Sequence, residues 1–185
     1  MSMLRKAAEA AEEATGLRAE IIRGVLMMSP TPRLKHAHII NAIYDQLRPA
    51  LPEGYEPLQV ASLSLPHDPE DYATPDLMVC DVATADSDDW LAEPGSVEFV
   101  LEVVSRGNST KDTRDMVGWY AEAEVPAYLV VDPRDGTWTL HTEPRDGVYQ
   151  GRLHKRYGDD VVLDGLKVRL RTDGLPLYGD AGAAG

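Results

Sequence analysis

Two carboxylates stand out by where they sit. Asp76 follows Pro75 and opens a short apolar run over 76–82. Glu102, 26 residues later, interrupts a nearly continuous apolar run over 97–104. That second run has the character of a strand covered on both faces. A carboxylate inside such a strand is costly unless it is paired, protonated or bound to a metal. Strands joined by the 14-residue connection between these runs can be sheet neighbours, with both acids at one edge. Two carboxylates and a backbone carbonyl form a hard oxygen site suited to Mg²⁺ or Mn²⁺. Such an ion activates water and stabilises charge on a phosphodiester.

The charge distribution frames this pair. The chain has 185 residues, 31 acids against 18 Lys and Arg, and a net charge of −13. That balance argues against a generally basic nucleic-acid-coating protein. Between Pro49 and Ser105 there is no Lys or Arg, yet 13 acids. The flanks hold 18 acids and 18 bases, so the whole surplus lies in the segment with both candidate ligands. An acidic run of this kind reads either as a solvated face or as acids converging on a cation.

Other candidates carry less chemistry. His36 and His38 are two apart, the wrong spacing for a metal pair on one helix face. His36, near Arg33 and Lys35, reads as a surface polar residue or a phosphate contact. His67, His141 and His154 are scattered. Ser29 and Ser105 lack a nucleophile-elbow context. Trp90, Trp119 and Trp138 are isolated, so core or surface roles outweigh base stacking. Cys80, the single cysteine, lies in an apolar run and reads as a buried small hydrophobe. No apolar stretch marks a signal peptide or a membrane span. A cytoplasmic protein outside the membrane is expected.

The elements that must position the acids follow from periodicity and punctuation. Residues 4–14 favour a helix. Residues 19–28 read as strand around an Arg23-Gly24 turn. Ile39, Ile40, Ile43, Tyr44 and Leu47 mark a helix over 33–48, ended by Pro49 and Pro52. One strand is expected over 55–65, and 86–95 reads as turn. A helix capped by Ser109 or Thr110 runs to about 124 and leads to a buried strand over 125–131. Asp132-Pro133-Arg134-Asp135-Gly136 makes a turn into a hairpin strand at 137–142. Strand-like pieces follow at 148–157 and 161–170. The expected divisions are an N-terminal helix (1–17), one domain (18–178) and a flexible tail (179–185). The order of elements gives an α/β (α+β) fold with a mixed sheet.

The motifs come in a recognisable order. Glu20-Ile21-Ile22-Arg23-Gly24-Val25-Leu26, Ser29-Pro30 and His36 precede Thr74-Pro75-Asp76-Leu77. Then come Phe99-Val100-Leu101-Glu102-Val103-Val104-Ser105, Asn108-Ser109-Thr110, Asp112 and Tyr120-Ala121-Glu122-Ala123. Val125-Pro126-Ala127-Tyr128-Leu129-Val130-Val131-Asp132-Pro133 closes the series. Over about 18–170 this resembles the Uma family of restriction-endonuclease-like proteins, in the PD-(D/E)XK nuclease superfamily. The resemblance implies a mixed β-sheet core flanked by helices and a metal-dependent endonuclease acting on DNA. It implies Asp76 and Glu102 as metal ligands, the Val103 carbonyl as a third, Glu20 as an accessory acid and Mg²⁺ or Mn²⁺ as the ion.

The pattern departs at its lysine. The superfamily places one two residues after the Glu, where this chain has Val104. The family places it four residues before its Tyr, where this chain has Met116. Lys111 is then the candidate cation, with Arg114 beside it. Phosphate contacts would come from Arg33, Lys35, Arg48, Arg106, Lys111 and Arg114. Many nucleases of this type dimerise to cut both strands, so the resemblance implies a homodimer as a candidate assembly. Two alternatives stay open: a catalytically impaired nuclease fold serving as a binding or oligomerisation module, and an acidic protein whose partner is another protein.

Overall fold

The two most apolar runs of the chain lie side by side in parallel in the larger of its sheets. The computed structural model describes residues 2–29, 31–106 and 110–179, with backbone alone over 110–114. The elements begin with α1 (Met3–Thr15), β1 (Arg18–Ile22), β2 (Val25–Ser29) and α2 (Leu34–Ala50). Strands β3 (Tyr55–Leu58), β4 (Ser62–Leu65), β5 (Asp68–Ala73) and β6 (Leu77–Asp81) follow. After α3 (Val82–Ala85) and β7 (Leu91–Ala92) comes β8 (Val97–Val103), then α4 (Thr110–Glu122) and β9 (Ala127–Asp132). The chain ends with β10 (Thr137–Arg145), β11 (Val148–Arg156), β12 (Val161–Leu163) and β13 (Val168–Leu170).

The mixed sheet flanked by helices is present. Six strands run in the order β11-β10-β9-β8-β6-β3, and only β8 and β9 pair in parallel. Helix α4 makes that crossover, as a parallel pair requires. A second sheet has the order β2-β1-β5-β4-β7. Alternation along β8 splits the core. Phe99, Leu101 and Val103 pack with Ile39, Ile43 and Leu47 of α2 and with the β12–β13 hairpin. Val100 packs on the other side with Tyr128, with Trp119 and Tyr120 of α4, and with Ile22 and Leu63 of the smaller sheet. Helix α1 seats Ala8 against Ala19, Ile21 and Tyr72.

The Arg23-Gly24 turn forms as expected. Both residues have positive φ, 51° and 72°, the requirement of the tight hairpin turn that follows the strand twist. Gly136, at φ 69°, likewise closes the turn before β10, its N–H donating to the Asp132 carbonyl at 3.0 Å.

Three expectations are corrected. The single strand over 55–65 is two strands in different sheets, broken near Val60 at φ 59°. Residues 68–73, read as part of an acidic run, form β5, and their Asp71 is buried. Helix α2 continues past Pro49 to Ala50, because the proline sits in the last turn and costs only one backbone bond. The tail expected over 179–185 lies outside the described residues beyond Gly179.

Candidate active site

The sheet face bearing Val100 and Tyr128 also bears Glu102, which emerges where β8 nears its end. Its Oε1 accepts a 2.8 Å hydrogen bond from the Tyr120 hydroxyl on α4. The crossover helix thus holds the carboxylate of the strand that precedes it. Asp76 sits just before β6, antiparallel to β8, and reaches the same end of the sheet. Its Oδ2 accepts from the Val103 N–H at 2.8 Å and from His36 Nε2 at 2.9 Å. The Tyr178 hydroxyl lies 3.3 Å from His36 Nδ1. In the neutral ring, Tyr178 donates to Nδ1 and Nε2–H donates to Asp76.

Glu20 arrives from the smaller sheet. Its Oε1 accepts from the Thr74 N–H at 2.7 Å, and that bond and the nearby Ser29 hydroxyl favour its ionised form. Thr74 lies two residues ahead of Asp76, so this bond ties β1 to the approach of the central acid. Glu20 is only 9% exposed.

The three carboxylates feel one another. Burial pushes Glu102 well above the usual carboxylate range, and the charges of Asp76 and Glu20 push it further. The Tyr120 bond and the Arg18 charge pull it down. Burial also raises Glu20; Arg18 opposes that rise and Asp76 adds to it. Among the described residues no group of three or more His, Cys, Asp and Glu is gathered into a metal cage. Each acid is instead anchored by protein donors. Among the described residues no donor meets Oδ1 of Asp76 or Oε2 of Glu102.

That donor set fits a hard divalent ion. Mg²⁺ characteristically takes one or two carboxylates and keeps several waters. The mutual repulsion of Asp76 and Glu102 in a buried setting is also what a bound cation relieves. Val103 touches Asp76 through its N–H.

The expected lysine positions are filled by apolar packing. Val104 is 5% exposed, and Met116 packs against the same cluster. The side chains of Lys111 and Arg114 lie outside the described residues. Two other phosphate-contact candidates are engaged: Lys35 donates to the Leu177 carbonyl at 2.8 Å and Arg106 to that of Gly179.

Three site residues were not legible as such. His36 is 7% exposed and bonded to Asp76, so it is not a surface residue. Tyr120 enters the sequence reading only as part of a motif, without its bond to Glu102. Arg18 was missed altogether, although its spacing of two from Glu20 puts both on one face of a strand.

Glu102 also begins a row across the sheet. The register runs Glu102, Val130, Thr139, His154. At about 4.8 Å per strand, His154 lies roughly 14 Å from Glu102 on the same face. Arg152 and Arg156 flank it on β11, exposed and without an ion-pair partner among the described residues.

A family model, "Uma2: Putative restriction endonuclease", matches residues 6–173. Among solved structures, the chain is similar to "a putative nuclease belonging to DUF820 from Anabaena variabilis ATCC 29413". The TM-score is 0.66 at 14% identity, covering 87% of this chain and 90% of that one. Among curated proteins, none matches.

Proposed function

Since the chain belongs to the Uma2 family, described as putative restriction endonucleases, we propose that it is a metal-dependent endonuclease hydrolysing DNA phosphodiester bonds. One observation carries this reading. Glu102 is an anchored carboxylate inside an apolar strand, beside Asp76, with a free oxygen on each. Burying two acids together is unfavourable without a cation.

In this reading Asp76 and Glu102 hold Mg²⁺ or Mn²⁺, the Val103 carbonyl is a third ligand and Glu20 is the accessory acid. The ion supplies Lewis acidity toward the phosphate and lowers the pKa of a water. The chain's own residues do the positioning. Tyr120 fixes the Glu102 rotamer from α4. His36 and the Val103 N–H both fix Asp76 through its Oδ2. Lys111 belongs to the same reading as a cation near the phosphate.

The exposed Arg152, His154 and Arg156 support DNA as substrate, because they share the Glu102 face at the sheet edge. They offset locally a chain of net charge −13. Cutting both strands calls for two copies of this single-site chain, so a homodimer belongs to the reading. So does a cytoplasmic location, in keeping with the free, buried Cys80. No helix among the described residues is long and apolar enough to cross a membrane.

The test is Mn²⁺ titration by calorimetry, alongside cleavage of supercoiled DNA. Asp76→Asn and Glu102→Gln are each expected to abolish both. Wild-type protein that takes up no divalent ion overturns the reading. The packing of Val104 and Met116 favours a second one, a catalytically impaired fold that binds without cutting. Met116→Lys separates them: cleavage gained from an inactive wild type supports impairment.

A further inference from the structure

If neither expected lysine is present, the carboxylates still need a cation to face the phosphate. Strand β1 offers one. Its alternation sends Ala19 and Ile21 toward α1, where they pack with Ala8 and Tyr72. Arg18, Glu20 and Ile22 take the opposite face, and Ile22 packs in the cluster that includes Val104 and Met116. Arg18 therefore enters the site from the same strand as Glu20 and on the same side.

Two observations mark Arg18 as more than a neighbouring charge. Its Nε is buried and has no hydrogen-bond partner among the described residues. Buried donors are rarely left without an acceptor, and a guanidinium presents a planar fork that matches two phosphate oxygens. Arg18 forms no ion pair with either acid, although Glu20 and Glu102 both feel its charge. A counterion serving only stability would be expected to close on a carboxylate. The Arg18 Nε–H is instead left as a donor that a phosphate oxygen would satisfy.

We infer that Arg18 is the phosphate-binding cation of this site, donating to a non-bridging oxygen of the phosphodiester beside Asp76 and Glu102. It takes the part that the superfamily gives to a lysine on another element. The inference rests on the nuclease reading and places Arg18, rather than Lys111, on the phosphate.

The experiment compares Arg18→Gln and Arg18→Lys with wild type in four measurements. These are binding of a short DNA duplex in Ca²⁺, single-turnover cleavage in Mn²⁺, Mn²⁺ affinity by calorimetry, and Tm. Lys111→Ala is the parallel arm. R18Q is expected to weaken duplex binding about tenfold and to slow cleavage about a hundredfold or more. Its Mn²⁺ affinity should be equal to or above wild type, since a competing cation is gone. R18K should recover part of the cleavage. Wild-type duplex binding and cleavage in R18Q overturn the inference, as does their loss in K111A alone. If R18Q does not fold, Arg18→Met keeps the apolar stem and replaces it. Failure of both to fold makes Arg18 a structural counterion and also overturns the inference. Wild type that binds Mn²⁺ but no duplex sinks this assignment alone, whereas wild type that binds neither sinks the nuclease reading with it.

Discussion

The hydroxyl of Tyr120 donates to Oε1 of Glu102 across 2.8 Å, joining the crossover helix to the strand that precedes it. The bond fixes one carboxylate oxygen of Glu102 and leaves the other without a donor among the described residues. It also favours the ionised form of Glu102 against burial and the charges of Asp76 and Glu20. Tyr120→Phe removes the donor and little else. The expected result is a loss of about 1 kcal/mol of stability and roughly a tenfold weaker hold on Mn²⁺. Unchanged Mn²⁺ affinity would show that the tyrosine does not orient a ligand.

Protons and the ion should compete at Glu102. Burial, then Asp76 and Glu20, raise its pKa above the unfolded value. The folded protein therefore binds the proton more tightly than the unfolded chain does. Its stabilising contribution is complete below the unfolded carboxylate pKa, about 4.3. It is lost as pH rises through the higher folded pKa. Without metal, Tm of wild type should fall relative to Glu102→Gln as pH rises from about 5. Mn²⁺ should reverse that fall, and its uptake should release protons. Calorimetry in two buffers of different ionisation enthalpy reads the release; equal heats would count against it.

His36 supports Asp76 from α2 at 2.9 Å. The Val103 N–H remains when the imidazole is removed, so Asp76 should stay in place but lose one restraint. His36→Ala is expected to cost about 1–2 kcal/mol and to weaken Mn²⁺ binding by about tenfold. A variant that loses stability and keeps its full metal affinity would reduce His36 to a packing role.

The cations of β11 make a separate claim. Arg152→Glu with Arg156→Glu should weaken duplex binding while leaving Mn²⁺ affinity alone. Two lost phosphate contacts should reduce the slope of log K against log salt by about 2. Salt titration by fluorescence anisotropy measures the slope, and an unchanged slope would remove this edge from the DNA-binding face.

Asp76 at the head of one strand and Glu102 within another could be read from the sequence because the signal is local. A carboxylate inside an apolar run announces its own cost, and α2 shows helical spacing. What escaped depends on distant partners. Asp71 looks like one more acid of a solvated segment, yet it accepts from Trp119 Nε1 at 2.7 Å and from the Gly24 N–H at 3.1 Å. Those bonds lock α4 and the β1–β2 turn onto β5, and nothing within DPEDYA reveals them. The bonds of His36 and Tyr120 likewise depend on the sheet, which brings residue 36 to residue 76 and residue 120 to residue 102.

The segment at Leu177 to Gly179 has a bearing on when the site is complete during synthesis. Tyr178 meets His36 although 142 residues separate them, and its N–H donates to the Pro133 carbonyl. Lys35 and Arg106 hold the same segment by its carbonyls. A ribosome has long since added the acids and their sheet before it supplies Tyr178. The nascent chain therefore carries an Asp76 whose imidazole support lacks its outer restraint until the Leu177–Gly179 segment is made.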